Sequence, residues 1–262
     1  MPWPLRGLRN GVVTTGYPRR PDPYAETFPA TVQPIADLPV DVSVDMSLCP
    51  TGAIDSSGGL LRIDTGQCIR CGRCVRERPD LFSWAPGVQT ARLHREALVV
   101  PQLPETDEAV EQVRHRLAAR TGMLRRSVHV RHVDAGSDGS EEWEVLALLN
   151  PVYDVHRLGI FFTASPRHAD VLLVTGAGSH GMAEPLRRTV EATPRPLVVI
   201  AAGTDAISGG LVAPDNAPHY ATAGGLGELI DVDVWVPGSP PSPFSLLHAL
   251  LLAVGRISPE GR

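Results

Sequence analysis

Apolar residues in the second half of this chain come in short unbroken runs rather than in alternation. Val171–Thr175, Leu197–Ala202 and Val232–Val236 are apolar-rich stretches bounded by turn residues. Runs of this kind mark strands buried on both faces, as in a parallel sheet. Between and after them, Met182–Ala192 and Phe244–Val254 have the length and composition of helices. The texture begins near residue 127 and predicts a three-layer α/β fold of the flavodoxin type over residues 127–262. Leu246–Val254 is the longest largely apolar run. It is interrupted by His248, reads as the end of an amphipathic segment, and is far shorter than the roughly 20 residues of a membrane span.

The first half is patterned differently. Residues 1–37 are rich in Pro with few periodic apolar positions, which predicts an extended arm lying on another surface. Residues 38–86 hold all the cysteines among Gly-rich turns and short apolar pieces, as in a small α+β unit. Residues 87–126 are expected to be a linker and a helix. Glu105–Arg120 has Thr106 as a cap, acids early and arginines late.

Composition narrows the choices. Of 262 residues, 43% are hydrophobic, enough for a substantial core, and 20% are charged. A net charge of −5 argues against nucleic acid or an anionic membrane surface as the main partner. Met1–Tyr24 lacks the apolar centre of a signal peptide, so the chain is expected in the cytoplasm, with any membrane attachment made through partners.

In that compartment four cysteines read as ligands or catalytic groups rather than disulfides. Cys68, Cys71 and Cys74 form a C-x2-C-x2-C run, and Cys49 precedes Pro50. Bacterial ferredoxins carry a C-x2-C-x2-C-x3-C-P run in which the fourth cysteine ligates the other cluster. Here the second run keeps its first three cysteines, with Arg78 in the fourth place, and the first keeps only Cys49. The four survivors are the ligand set of one 4Fe-4S cluster. Three thiolates on one tight loop wrap three irons, Gly72 permits the curl, and the fourth thiolate arrives from a separate segment. A structural zinc site is the alternative for the same residues, although zinc sites present paired C-x2-C knuckles.

Two resemblances extend this reading. Gly11–Pro21, of sequence GVVTTGYPRRP, followed by Phe28, resembles the arm preceding the clusters in two-cluster ferredoxin subunits of complex I and membrane-bound hydrogenases. Arg131–Ser137, Asn150–Ile160, Ser165–Gly176 and Val236–Pro241 resemble the small subunit of group 4 NiFe hydrogenases, which is similar to the 20 kDa subunit of NADH:quinone oxidoreductase. The resemblance implies a fusion: a ferredoxin-like domain reduced to one cluster, then a small-subunit-like α/β domain. The product would be an iron–sulfur electron-transfer subunit, itself not catalytic. It would grip a large hydrogenase or complex I 49 kDa-like subunit at the inner face of the cell membrane. In the small subunit four cysteines hold a further cluster. The matching positions here are Asp138, Glu141, Asp205 and Ser239, none of them a thiolate.

Other features stay open at this level. Asp138, Glu141, Asp205 and Ser239 could receive a hard cation such as Mg²⁺ or Mn²⁺, or be a decayed site filled with water. Gly176–Gly181 matches G-x-G-x-x-G between a strand and a helix, with Asp205 beyond the next strand, so a nucleotide-binding reductase is a competing reading. A scaffold with a structural cluster is another. His180 is a candidate proton carrier, His129, His132 and His168 read as packing or interface residues, and Arg70–Arg78 flanks the cysteines.

Overall fold

The computed structural model describes residues 3–24, 27–35, 45–56, 60–101, 127–213 and 219–257. The expected helix Glu105–Arg120 lies outside the described residues.

The arm is less uniformly extended than its proline content predicts. Trp3–Asn10 forms helix α1, which buries no residue, and Pro29–Pro34 forms strand β1. Between them Tyr17 is buried against the ring of Phe244 at 6.1 Å, so the arm lies on this chain itself. Strand β2 (Ile54–Asp55) pairs antiparallel with β3 (Arg62–Asp64). Helix α2 spans Arg73–Glu77. Strand β4 (Phe82–Pro86) pairs antiparallel with β1, and β5 (Val99–Val100) with β3. The cysteine-bearing unit thus draws strands from both sides of the expected 38–86 boundaries. Val32, Leu48, Ile54, Leu61, Ile63, Leu81 and Phe82 form its core, with Cys49, Cys68 and Cys74 packed against it.

Five parallel strands build the second unit: β6 (Val128–Asp134), β7 (Ile160–Phe162), β8 (Val171–Thr175), β9 (Val198–Ala202) and β10 (Val234–Val236). Their order in the sheet is β10-β9-β8-β6-β7. This is the flavodoxin-like order, with the chain reversing between β6 and β8. Helices α3 (Ser140–Ala147), α4 (His180–Ala192), α5 (Thr204–Ser208) and α6 (Pro243–Ala253) connect or follow the strands.

Both sheet faces are covered, which explains the unbroken apolar runs. Val171 and Leu173 join Val145 of α3 and the residues of α6 in one core, while Leu172 and Val174 join Leu186 of α4 and Ile207 of α5 in another. Alternate side chains of one strand feed two cores, so Val171 to Val174 are all apolar, and the buried Thr175 hydroxyl at the strand end donates to Glu142.

The expectation of an amphipathic C-terminal helix is corrected. Every residue of α6 is buried. One side meets the sheet, and Tyr17, Phe28 and Tyr153 stack edge-on against Phe244. The polar residues of α6 are hydrogen-bonded within the protein. The Ser242 side chain accepts from the Ser245 N–H, and His248 Nδ1 accepts the Ala91 N–H at 3.2 Å.

Candidate functional site

The cysteine loop curls because its backbone enters the left-handed region twice. Arg70 has φ of 57° and Gly72 of 68°, the latter preceding α2. Cys68, Cys71 and Cys74 are carried round that curl, and Cys49 arrives from the turn before β2, as its Pro-Thr-Gly sequence predicts. All four line one cleft, together with Val32, Leu48 and Thr51. Cys49 Sγ accepts the Ala53 N–H at 3.3 Å. Cys71 is exposed and the other three are partly buried. Burial pushes the Cys68 thiol up to about 12 and raises Cys74, in each case with neighbouring cysteines adding to the shift. Four free thiols around one cleft, one receiving a backbone N–H, fit a thiolate-liganded metal group.

The loop is seated on the C-terminal edge of the parallel sheet. Thr204 Oγ1 donates to the Cys68 carbonyl at 3.1 Å and Ser208 Oγ to the Gly66 carbonyl at 3.1 Å. Arg70 Nη2 donates to the Pro237 carbonyl at 2.8 Å, and Arg92 and Trp235 exchange backbone hydrogen bonds. The other arginines of the 70–78 interval differ. Arg73 and Arg78 pair at the surface with Glu77 and Asp80, and Arg76 donates to the Cys71 carbonyl.

A second cluster lies at the same sheet edge. Asp138 follows β6, Glu141 stands in the first turn of α3, and Asp205 in the first turn of α5 after β9. One carboxylate oxygen from each lies within 4.8 Å of the others. Hydrogen bonds from the Ser140 side chain and from its N–H, the latter at 2.9 Å, hold the Asp138 carboxyl below its ordinary value. Burial, aided by Asp205 and Asp138, raises Glu141 to about 7, and burial with Asp138 raises Asp205 to about 6. Ser239 follows Gly238, whose carbonyl accepts the Thr204 N–H at 2.7 Å, so its backbone lies beside the Asp205 turn.

The neighbouring Glu142 escaped sequence reasoning. It accepts from Thr175 Oγ1 at 2.5 Å and from Ser137 Oγ at 2.8 Å, while His132 Nε2 lies 2.9 Å from Thr175 Oγ1. His132 is held below its ordinary value by burial. His180 is hydrogen-bonded to the His219 carbonyl, and His129 faces Asp170 at 3.6 Å.

The Gly176–Gly181 loop is occupied by its own chain. A Cβ on Gly176, at φ of 86°, would stand 2.5 Å from the Ser137 nitrogen. Its glycine therefore serves packing of two loops. The N–H groups of Ala177, Ser179 and His180 donate to Gly136, Ala135 and Ala221 carbonyls, so they are not offered to a phosphate.

The family described as NADH ubiquinone oxidoreductase, 20 Kd subunit matches residues 139–253. That interval contains Glu141, Asp205 and Ser239, whereas the four cysteines lie outside it. Formate hydrogenlyase subunit 7 of Escherichia coli K12 is 35% identical over 161 residues, covering 62% of this chain and 60% of that protein. The chain therefore spans less than two thirds of that relative's length. A probable membrane-bound hydrogenase subunit of Pyrococcus furiosus is 37% identical over 151 residues, covering 56% of this chain and 86% of the relative. Among solved structures, a chain of the membrane-bound sulfane sulfur reductase, an archaeal respiratory membrane complex, is 27% identical with a TM-score of 0.42, covering 52% of this chain and 71% of that one.

Proposed function

Because the chain belongs to the family of the NADH ubiquinone oxidoreductase 20 kDa subunit, we propose that it is an iron–sulfur electron-transfer subunit of a membrane-associated oxidoreductase complex. In this reading it is a fusion of a ferredoxin-like unit, reduced to one cluster, with a small-subunit-like α/β unit. The observation that carries the reading is the convergence of Cys49, Cys68, Cys71 and Cys74 on one cleft. A 4Fe-4S cluster bound there takes up and releases one electron at a time. The residues around it set its position and surroundings. The Ala53 N–H meets the Cys49 sulfur, and Thr204 and Arg70 fasten the loop to the sheet edge.

Asp138, Glu141 and Asp205 offer oxygen, so the α/β unit holds no thiolate-ligated cluster in this proposal. Electrons must come from and go to centres in partner subunits. A large, 49 kDa-like subunit fits the exposed apolar residues Trp143, Leu146 and Leu149 on α3 and the turn after it. A chain using such partners needs no span of its own, and among the described residues no helix is long and apolar enough to cross a membrane.

The test is to purify the chain anaerobically with its co-purifying partners and measure iron, sulfide and the EPR spectrum before and after dithionite. The expected result is about four irons per chain and a reduced signal that Cys71→Ala removes. One zinc without iron would transfer the protein to a scaffold role, and about eight irons would place a second cluster in the α/β unit against its ligand set.

A further inference from the structure

We propose that Asp138, Glu141 and Asp205 bind one hard divalent cation, Mg²⁺ or Mn²⁺, at the C-terminal edge of the parallel sheet. Three segments distant in sequence bring one carboxylate oxygen each to within 4.8 Å of one another. Ligand oxygens round an octahedral ion with bonds of about 2.1 Å stand about 3.0 Å apart when adjacent and about 4.2 Å when opposite. Separations of up to 4.8 Å are within reach of that geometry once the acids draw in round the ion. An all-oxygen, all-carboxylate donor set selects hard ions over zinc or copper.

Glu141 supplies the second, independent observation. Its side chain has no exposed surface. Its Oε2 accepts the Ser140 hydroxyl at 3.2 Å, and its Oε1 is buried with no hydrogen-bond partner among the described residues. Among the described residues no arginine or histidine pairs with any of the three acids. A fully buried carboxylate with a partnerless oxygen, set within 4.8 Å of two further carboxylates, has donor capacity that a cation would satisfy. The backbone is shaped to bring the acids in. A Cβ on Gly203 would stand 2.6 Å from Glu141 Oε1, and one on Gly210 would stand 2.0 Å from Asp205 Oδ1, both at positive φ. Two glycines thus let main chain approach these carboxylate oxygens where a Cβ would collide with them.

None of the three acids lines the cysteine cleft, so the site can fail or succeed independently of the iron–sulfur reading. The anaerobically purified chain, stripped of loosely held metal with a chelator and exchanged, is titrated with Mn²⁺ while the EPR signal of free Mn²⁺ is followed. The expected result is about one Mn²⁺ per chain, bound more tightly than about 1 mM and displaced by Mg²⁺. Glu141→Gln and Asp205→Asn each weaken binding by about tenfold or more, whereas Glu142→Gln, whose carboxylate faces Thr175 and Ser137, leaves it unchanged. Thermal unfolding in chelator checks that the variants fold, and added Mn²⁺ raises the midpoint of the parent but not of Glu141→Gln. Absence of Mn²⁺ binding by the parent at about 1 mM would overturn the proposal, as would binding that both variants retain. A protonated-carboxyl infrared band abolished by Glu141→Gln, with no bound Mn²⁺, would assign the cluster to shared protons instead.

Discussion

His248 is the group through which mild acid should weaken this protein. Its side chain is fully buried in α6, and its Nδ1 accepts the Ala91 N–H at 3.2 Å. An accepting Nδ1 requires the neutral ring with its proton on Nε2. Burial, with Arg92 adding to it, pushes the pKa from 6.5 down to about 3. As pH falls through 6.5 the unfolded chain takes up a proton that the native chain refuses until about 3. The unfolded state therefore binds more protons over that window, so this contribution to stability is complete above about pH 6.5 and is lost on acidification. The two values give a loss of about 2 kcal/mol at about pH 5, approaching about 5 kcal/mol near pH 3. His248→Asn keeps an acceptor near the Ala91 N–H and abolishes the titration. Denaturant unfolding followed by tryptophan fluorescence gives the stability of parent and variant at about pH 7.5 and about pH 5. The parent's advantage over the variant should shrink by about 2 kcal/mol at the lower pH. Glu141 and Asp205, raised to about 7 and about 6, act in the opposite sense but are common to both proteins and cancel. An advantage that stays constant would refute the reasoning, since His248 would then not be held neutral.

Three other outcomes are expected. Gly176→Ala sets a Cβ against the Gly136–Ser137 backbone at positive φ and should cost about 2–4 kcal/mol in thermal or denaturant unfolding. Leu250→Ala, in the middle of the wholly buried α6, should cost about 2–5 kcal/mol and leave the metal content of the cysteine cleft unchanged. Arg95 grips Asp64 through two hydrogen bonds of 2.8 and 2.6 Å with both side chains mostly buried, so Arg95→Gln should cost about 1–3 kcal/mol. Restoring that stability with Asp64→Asn in the same chain would tie the loss to the stranded carboxylate.

Strands β8, β9 and β10 were legible because burial on both faces leaves a run of apolar letters. Strand β6 was not, because His129, Arg131 and His132 occupy its partly buried positions and blur the pattern. Strand β7 has only three residues, too few for any period. Helix α3 has Gly139 at its N-cap, with no side-chain cap to announce it. In α6, His248 imitated a polar position because its hydrogen-bond partner, the distant Ala91 N–H, is not visible as a spacing. The cysteine set shows the same division. Cys68, Cys71 and Cys74 lie within seven residues and announce themselves, while the meeting of Asp138 with Asp205 depends on two strand ends that only the folded sheet brings together. Their positions were reached by resemblance, and the buried, orphaned oxygen of Glu141 was reached by neither route.

The cysteine-bearing unit is tied to the sheet edge through Thr204 to Cys68, Ser208 to Gly66, Arg70 to Pro237 and the Arg92–Trp235 pair, and Tyr17, Val88, Ala91, Leu93 and Leu98 are buried in the cores of the α/β unit. Two segments of one polypeptide meet at an effective concentration in the millimolar range without any added contact. The cysteine cleft and the acidic cluster are consequently delivered to any assembly in a one-to-one ratio, whatever the copy numbers of the remaining subunits. Damage to either half cannot be repaired by supplying that half in trans, because the intact partner arrives already covered by its own broken neighbour.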